Sequence, residues 1–292
     1  MKRLKLYSFF VIIIFFWIKS ETLGKYFFYE VSTDTSKVYI FGSIHFGKSE
    51  WYPFEDYIEK AFSTSDALVT EININDLTKL APSSIINRIY AKDTISLKNK
   101  LKPKNYDKVL GKLSALGMNE TIIQRIRPWF VAFSLQQLEM TQRNMNSKYG
   151  VDTYFMQNAK KLNMNILGIE EIDFQLSLIE KFDCCADEII ETLESDNKKK
   201  DDTNELIQAW LEGDDNEINK LINGISDASK EYQSVLHEIL YKRNKSMADS
   251  IEELLANRKQ YFIVVGAAHL VGEESIIKYL QKDKKKYKIK RL

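Results

Sequence analysis

Cysteine is scarce in this chain: two residues out of 292, adjacent at Cys184 and Cys185. Two thiols cannot build a disulfide scaffold, and they are too few for a thiolate zinc cluster. A bridge between neighbours is strained, so both are expected to stay unbonded as half-buried helix residues. Proline (4) and glycine (11) are also few. That excludes collagen, proline-rich linkers and most disordered compositions. An excess of charge of one sign is missing as well, with 42 basic and 41 acidic residues. No field is left to steer a nucleic acid, which is not expected as a partner. What is plentiful is apolar: 44% of residues are hydrophobic and 28% charged. Such a chain suits one globular domain with a core that needs no staples.

The N-terminus reads MKRLKLYSFFVIIIFFWIKSETLG. Lys2, Arg3 and Lys5 precede a run from Leu6 to Ile18 that is apolar except for Ser8. A comfortable membrane span needs about 20 residues, so this run is short for one and fits a secretory h-region. Thr22 and Gly24, or Ser20, suit a cleavage site. The expectation is a signal peptide over 1–24, or an N-terminal anchor, ahead of a single domain over 25–292. In either case the body is exported, to a periplasmic or secreted location or tethered by the uncleaved segment.

Tyr26–Val31 and Lys37–Phe41 are β-rich runs separated by a polar stretch, a hairpin signal. Ala67–Ile72 (ALVTEI), Met164–Gly168 and Tyr261–Val265 (YFIVV) read as short strands. Tyr287 and Ile289 alternate with Lys288 and Lys290, which suggests a charged closing edge strand. Helices are expected over Pro53–Ser63, with its proline in the first turn, and over Asp76–Tyr90, Pro103–Leu116, Asn119–Gln142 and Val151–Leu162. Pro128 should kink or split the fourth of these. Glu171–Arg258 is helical by pattern, broken by a solvated loop at Asn197–Asp202 and again near 211–217. The fold class is α/β (α+β): a small mixed sheet built from both ends of the chain, with a large helical insertion.

Of three histidines, two share a setting. His45 ends Gly42-Ser43-Ile44-His45 after the strand VYIF, and His269 ends Gly266-Ala267-Ala268-His269 after YFIVV. Random placement of 3 histidines and 11 glycines predicts about 0.1 such coincidences. Glycine lets the chain turn as it leaves a strand, and the histidine is then presented at the carboxyl edge of the sheet, where open α/β sheets bind ligands. Two imidazoles converging there suit a divalent metal or general acid–base work. Glu71 and Glu170 each follow a short apolar strand and should share that edge, Glu171 being the one-residue alternative to Glu170. One glutamate could ligate while the other acts as base. Arg243, next to Asn244 on a helix, could pair with a carboxylate or a substrate oxyanion. Trp129 reads as core, His237 as a histidine apart from the site, and Asp152 as the cap of the following helix.

Together these residues resemble the TraB/GumN family, which includes the Tiki metalloproteases. YIFGSIHFG with Trp51-Tyr52-Pro53 downstream, ALVTEI, Pro128-Trp129, GVDTYF, LGIEEIDFQ, Arg243-Asn244, VVGAAHLVG and YKIKRL follow in family order. The resemblance implies a fold like the erythromycin-esterase and ChaN group. It implies a metal-dependent hydrolase, peptidase-like, with manganese or cobalt as the metal and zinc as a further candidate. His45, His269, Glu71 and Glu170 occupy its motif positions as metal ligands, and Glu71, Glu170, Arg243 and Asn244 are the expected catalytic residues. The partner would be a peptide or protein substrate. Activity should fall below about pH 6, because an unperturbed imidazole titrates near 6.5. The alternative is an exported binding module that sequesters a peptide or other small ligand at the same sheet edge without turnover.

Overall fold

The structure, a computed structural model, describes residues 26–292 apart from 93–94, 193–197, 224–227 and 283–285. The N-terminal signal or anchor segment lies outside the described residues. No helix among them is long and apolar enough to cross a membrane.

Six strands form one mixed sheet: β1 (Phe28–Ser32), β2 (Lys37–Ser43), β3 (Ala67–Thr70), β4 (Asn165–Gly168), β5 (Gln260–Gly266) and β6 (Lys288–Arg291). Their order is β4-β3-β5-β2-β1-β6. β4, β3, β5 and β2 run parallel, while β1 pairs antiparallel with both β2 and β6. The two ends of the chain thus meet at one side of the sheet, as the pattern of apolar runs predicts. β3 is buried along its whole length, and β5 except at its two ends. This is the signature of strands covered on both faces, and it explains why YFIVV is continuously apolar rather than alternating. β4 and β6 close the edges and are largely exposed.

The sheet core is dense in aromatic residues. Phe41, Phe155 and Phe262 pack on one another, and fully buried Trp210 donates its indole N–H to Gly42 O at 2.8 Å. A second hydrophobic cluster lies among the inserted helices, around Tyr106, Trp129, Leu135 and Ile190. Trp129 is core there, as expected.

Several boundaries differ from the sequence reading. The helix expected from Pro53 starts at Asp56. The helix expected over 76–90 is a 3-10 turn, Ile74–Lys79, followed by Pro82–Ile89. Pro82 has no N–H to continue a helix but suits its first position. Pro128 splits the Asn119–Gln142 stretch into Glu120–Ile123 and Pro128–Gln142. The loop expected through Asp202 is helical from Lys198, because lysine supports a helix without an apolar face to bury. Cys184 and Cys185 are bonded to each other, contrary to expectation. They end a 3-10 turn, Glu180–Cys185.

Candidate functional site

The four parallel strands end on one edge, and each delivers one of the residues singled out above. Register aligns Ser43 of β2 with Gly266 of β5, Thr70 of β3 with Val264, and Thr70 with Gly168 of β4. Just past those ends stand His45, His269, Glu71 and Glu170. Glu170, rather than Glu171, is the buried acid: its side chain is 6% exposed, whereas Glu171 faces solvent.

Arg243, on the helix Tyr241–Ala256, lies between the two glutamates. Its Nε donates to Glu170 Oε1 at 2.8 Å and its Nη2 to Glu71 Oε2 at 2.7 Å, with a further contact to Glu170 Oε2. Nη1 donates to Ile239 O at 2.9 Å. Gln175 bridges the same pair, donating to Glu71 Oε2 and Glu170 Oε2 at 2.9 Å each. The remaining Glu71 oxygen, Oε1, accepts the Gly266 N–H at 2.7 Å. Burial alone would raise the Glu71 pKa. The neighbouring His269 ring, the Arg243 and His45 charges and the Gly266 N–H outweigh it and hold the carboxyl at about 2. The Arg243 guanidinium is committed to carboxylates and backbone, so it orients the acids rather than reaching outward.

The two histidines are held differently. His269 is buried, and its Nδ1 lies 2.6 Å from Asn244 Oδ1. The Asn244 orientation follows from its amide nitrogen, which donates to Glu274 O at 2.8 Å. His269 therefore carries hydrogen on Nδ1 and presents Nε2, 3.7 Å from Glu71 Oε1. Burial, with the Arg243 charge, pushes its pKa down against the pull of Glu71. His45 is 70% exposed at the edge, and its Nδ1 meets Asp152 Oδ2 at 2.8 Å. The Asp152 carboxylate, by charge and then by hydrogen bond, raises the His45 pKa to about 9. Ser43 donates to the other Asp152 oxygen at 2.6 Å.

Asp152 is the residue that the sequence reading misassigned. The helix Val151–Lys161 has no side-chain cap, and Asp152 instead turns to Ser43 and His45. Backbone approach makes this so: Val151 N donates to Ile44 O at 3.0 Å, and a Cβ on Gly150 would sit 2.3 Å from His45 O. Only glycine at 150 lets the helix start so close to the histidine loop. The signal available in the sequence was the glycine directly before Val151-Asp152. Gln175, four residues into its helix, carried no signal. Gly42 and Gly266 themselves do not adopt positive φ. Gly42 serves by leaving room, since a Cβ there would lie 2.7 Å from Phe27 Cβ. His237 is apart from the site, about half exposed and 4.0 Å from Glu274.

In kind, imidazoles whose Nδ1 is fixed by an oxygen acceptor, with a carboxylate 3.7 Å from one of the Nε2 atoms, are the donors of divalent-ion sites. Among the described residues, no group of three or more His, Cys, Asp or Glu side chains stands close enough to hold a metal ion. Glu170 is spent on Arg243 and Gln175.

Known proteins extend this picture in one direction. A model of the TraB/PrgY/gumN family matches residues 27–291. An uncharacterized protein of Treponema pallidum (strain Nichols) is 22% identical over 269 residues, covering 87% of this chain and 80% of its own length. No solved structure matches.

Proposed function

The chain belongs to the TraB/PrgY/gumN family, and we propose that it is an exported hydrolase acting on a peptide substrate at the carboxyl edge of the sheet. One observation carries the reading. Both edge histidines have Nδ1 tied to a fixed oxygen, Asp152 for His45 and Asn244 for His269, which leaves each Nε2 uncommitted to those partners, with His269 Nε2 standing 3.7 Å from Glu71. That arrangement fits proton transfer or metal ligation, and it has no evident use in a structural role.

A divalent ion, manganese, cobalt or zinc, is the proposed cofactor, with His45, His269 and Glu71 as the donors that would hold it. As they lie they do not stand close enough to do so, and binding would have to draw them together. When bound, the ion would supply a water acidic enough to attack near neutral pH. The remaining work falls to the protein. Asp152 holds the His45 ring by Nδ1 and stabilises its charged form, so His45 would have to give up the Nε2 proton before that nitrogen could ligate. Glu71, held at about 2, is a weak proton acceptor at neutral pH. It is better suited to binding, with Arg243 and Gln175 fixing its position. Asn244 is a positioning residue for His269.

The test is elemental analysis of the purified protein together with peptide-mixture turnover, comparing wild type with His45→Ala and His269→Ala. Stoichiometric metal and turnover, both lost in each variant, are expected. Full metal content and activity in both variants would sink the reading. Tight peptide binding by wild type without turnover would replace it with sequestration.

A further inference from the structure

A cavity of about 420 Å³ shares Glu170 and Arg243 with the site. We propose that it is the subsite for a bulky apolar side chain of the substrate, phenylalanine or leucine in type, next to the bond that is cut. This rests on the hydrolase reading and names the substrate preference of that same site.

Three observations carry it. First, the apolar wall is built by Phe174 and Leu178, one turn apart on the helix Ile172–Ile179, together with Ile169. That helix begins two residues after Glu170, so its wall is fixed relative to the acid pair. Second, Phe174 is 46% exposed although it lies beside a buried charge cluster, so its ring is open to an apolar group. Third, the charges around the cavity are largely matched to each other, with Glu171 facing solvent. Glu170 meets Arg243, and at the rim Glu238 meets Lys181 and, at 3.6 Å, Lys242. Paired rim charges over an apolar wall favour a neutral occupant over a charged one. The volume lies in the range of about 300–1,000 Å³ usual for small-ligand pockets, so a large side chain fits.

The experiment has two readouts on the full chain. Binding is followed by fluorine NMR with N-acetyl-4-fluorophenylalanine amide as probe. Wild type and His45→Ala should bind it alike. Phe174→Asp and Ser246→Trp, both at exposed positions in the cavity wall, should each weaken it about tenfold or more, the range of discrimination by an apolar pocket. No binding by wild type, or equal binding by all four proteins, overturns the subsite. Cleavage is read on a manganese-supplemented peptide mixture. Wild type should prefer bulky apolar residues at one position flanking the cut, and Ser246→Trp should lose that preference. Cleavage without such a preference removes the subsite and keeps the hydrolase. Probe binding that fails in Phe174→Asp, with no cleavage of any peptide by wild type, keeps the subsite and removes the hydrolase.

Discussion

Two strand ends, β2 and β5, present histidines through the same Gly-x-x-His spacing, yet they build opposite electrostatic settings. At the end of β5, His269 is buried against a neutral amide, and burial keeps it from charging. At the end of β2, His45 is exposed against a carboxylate, which keeps it charged up to about pH 9. The same Gly-x-x-His spacing thus gives one imidazole that favours a lone pair on Nε2 and one that favours a proton there. The difference comes from partners distant in the chain, Asn244 and Asp152. It also makes the pair unequal as ligands: His269 offers a free Nε2 lone pair, whereas His45 must first lose the Nε2 proton.

The comparison can be broken most forcefully beneath the buried station. Arg243→Met leaves Glu71 and Glu170 facing each other without their cation. Because these groups are 7%, 13% and 6% exposed, the loss should be about 3–5 kcal/mol of stability in urea unfolding. A loss under about 1 kcal/mol would mean that water or rearrangement neutralises the pair. Next in size, Asn244→Ala strips the acceptor from His269 Nδ1 in a buried place. A cost of about 1–3 kcal/mol is expected from the unsatisfied donor, seen as a lower unfolding midpoint, and no comparable cost should follow from loss of the exposed partner.

The smallest stability effect, and the sharpest on titration, is expected from Asp152→Asn. Solvent around the exposed His45 ring screens its pairing with half-buried Asp152, which holds the cost to about 1 kcal/mol or less, and the raised His45 pKa should fall towards its ordinary 6.5, read by NMR titration of the metal-free protein. The sign follows from linkage. His45 has a higher pKa folded than unfolded, so its pairing stabilises fully below about 6.5 and is lost as pH rises through about 9. Glu71 behaves oppositely: its contribution is present above 4.5 and lost as pH falls through about 2. An unchanged His45 titration in Asp152→Asn would show that the carboxylate is not what sets the two stations apart. The raised value also moves the pH at which metal-free His45 loses its proton well above the pH 6.5 of an isolated imidazole.

Much of the site was legible because strand ends carry their own marks. A fully apolar run followed by Gly-x-x-His or by a glutamate announces a buried parallel strand and the residue delivered at its edge, and His45, His269, Glu71 and Glu170 were found in this way. Arg243 was found by its place among core-spaced residues on a helix, although spacing left open whether it faced acid or substrate. Asp152 was misread because a carboxylate in the first helical turn is the ordinary mark of a helix start. Its actual partner is more than a hundred residues away. Gln175 was invisible for a similar reason: an amide on a helix is meaningful only when its neighbours are known.

The sequence by itself carried the motifs that resemble the family, and it determined the strand runs and the four residues at the sheet edge, because periodicity and turn chemistry are local and each run encodes its own burial. Only the tertiary structure decided what those residues are to each other. It placed four strands parallel with one shared edge, set a guanidinium between two acids, and gave two like-spaced histidines unlike partners. Charge, burial and hydrogen bonding act through space, and at this site the groups that set them, Asp152, Gln175, Arg243 and Asn244, are far in the chain from most of the residues they act on.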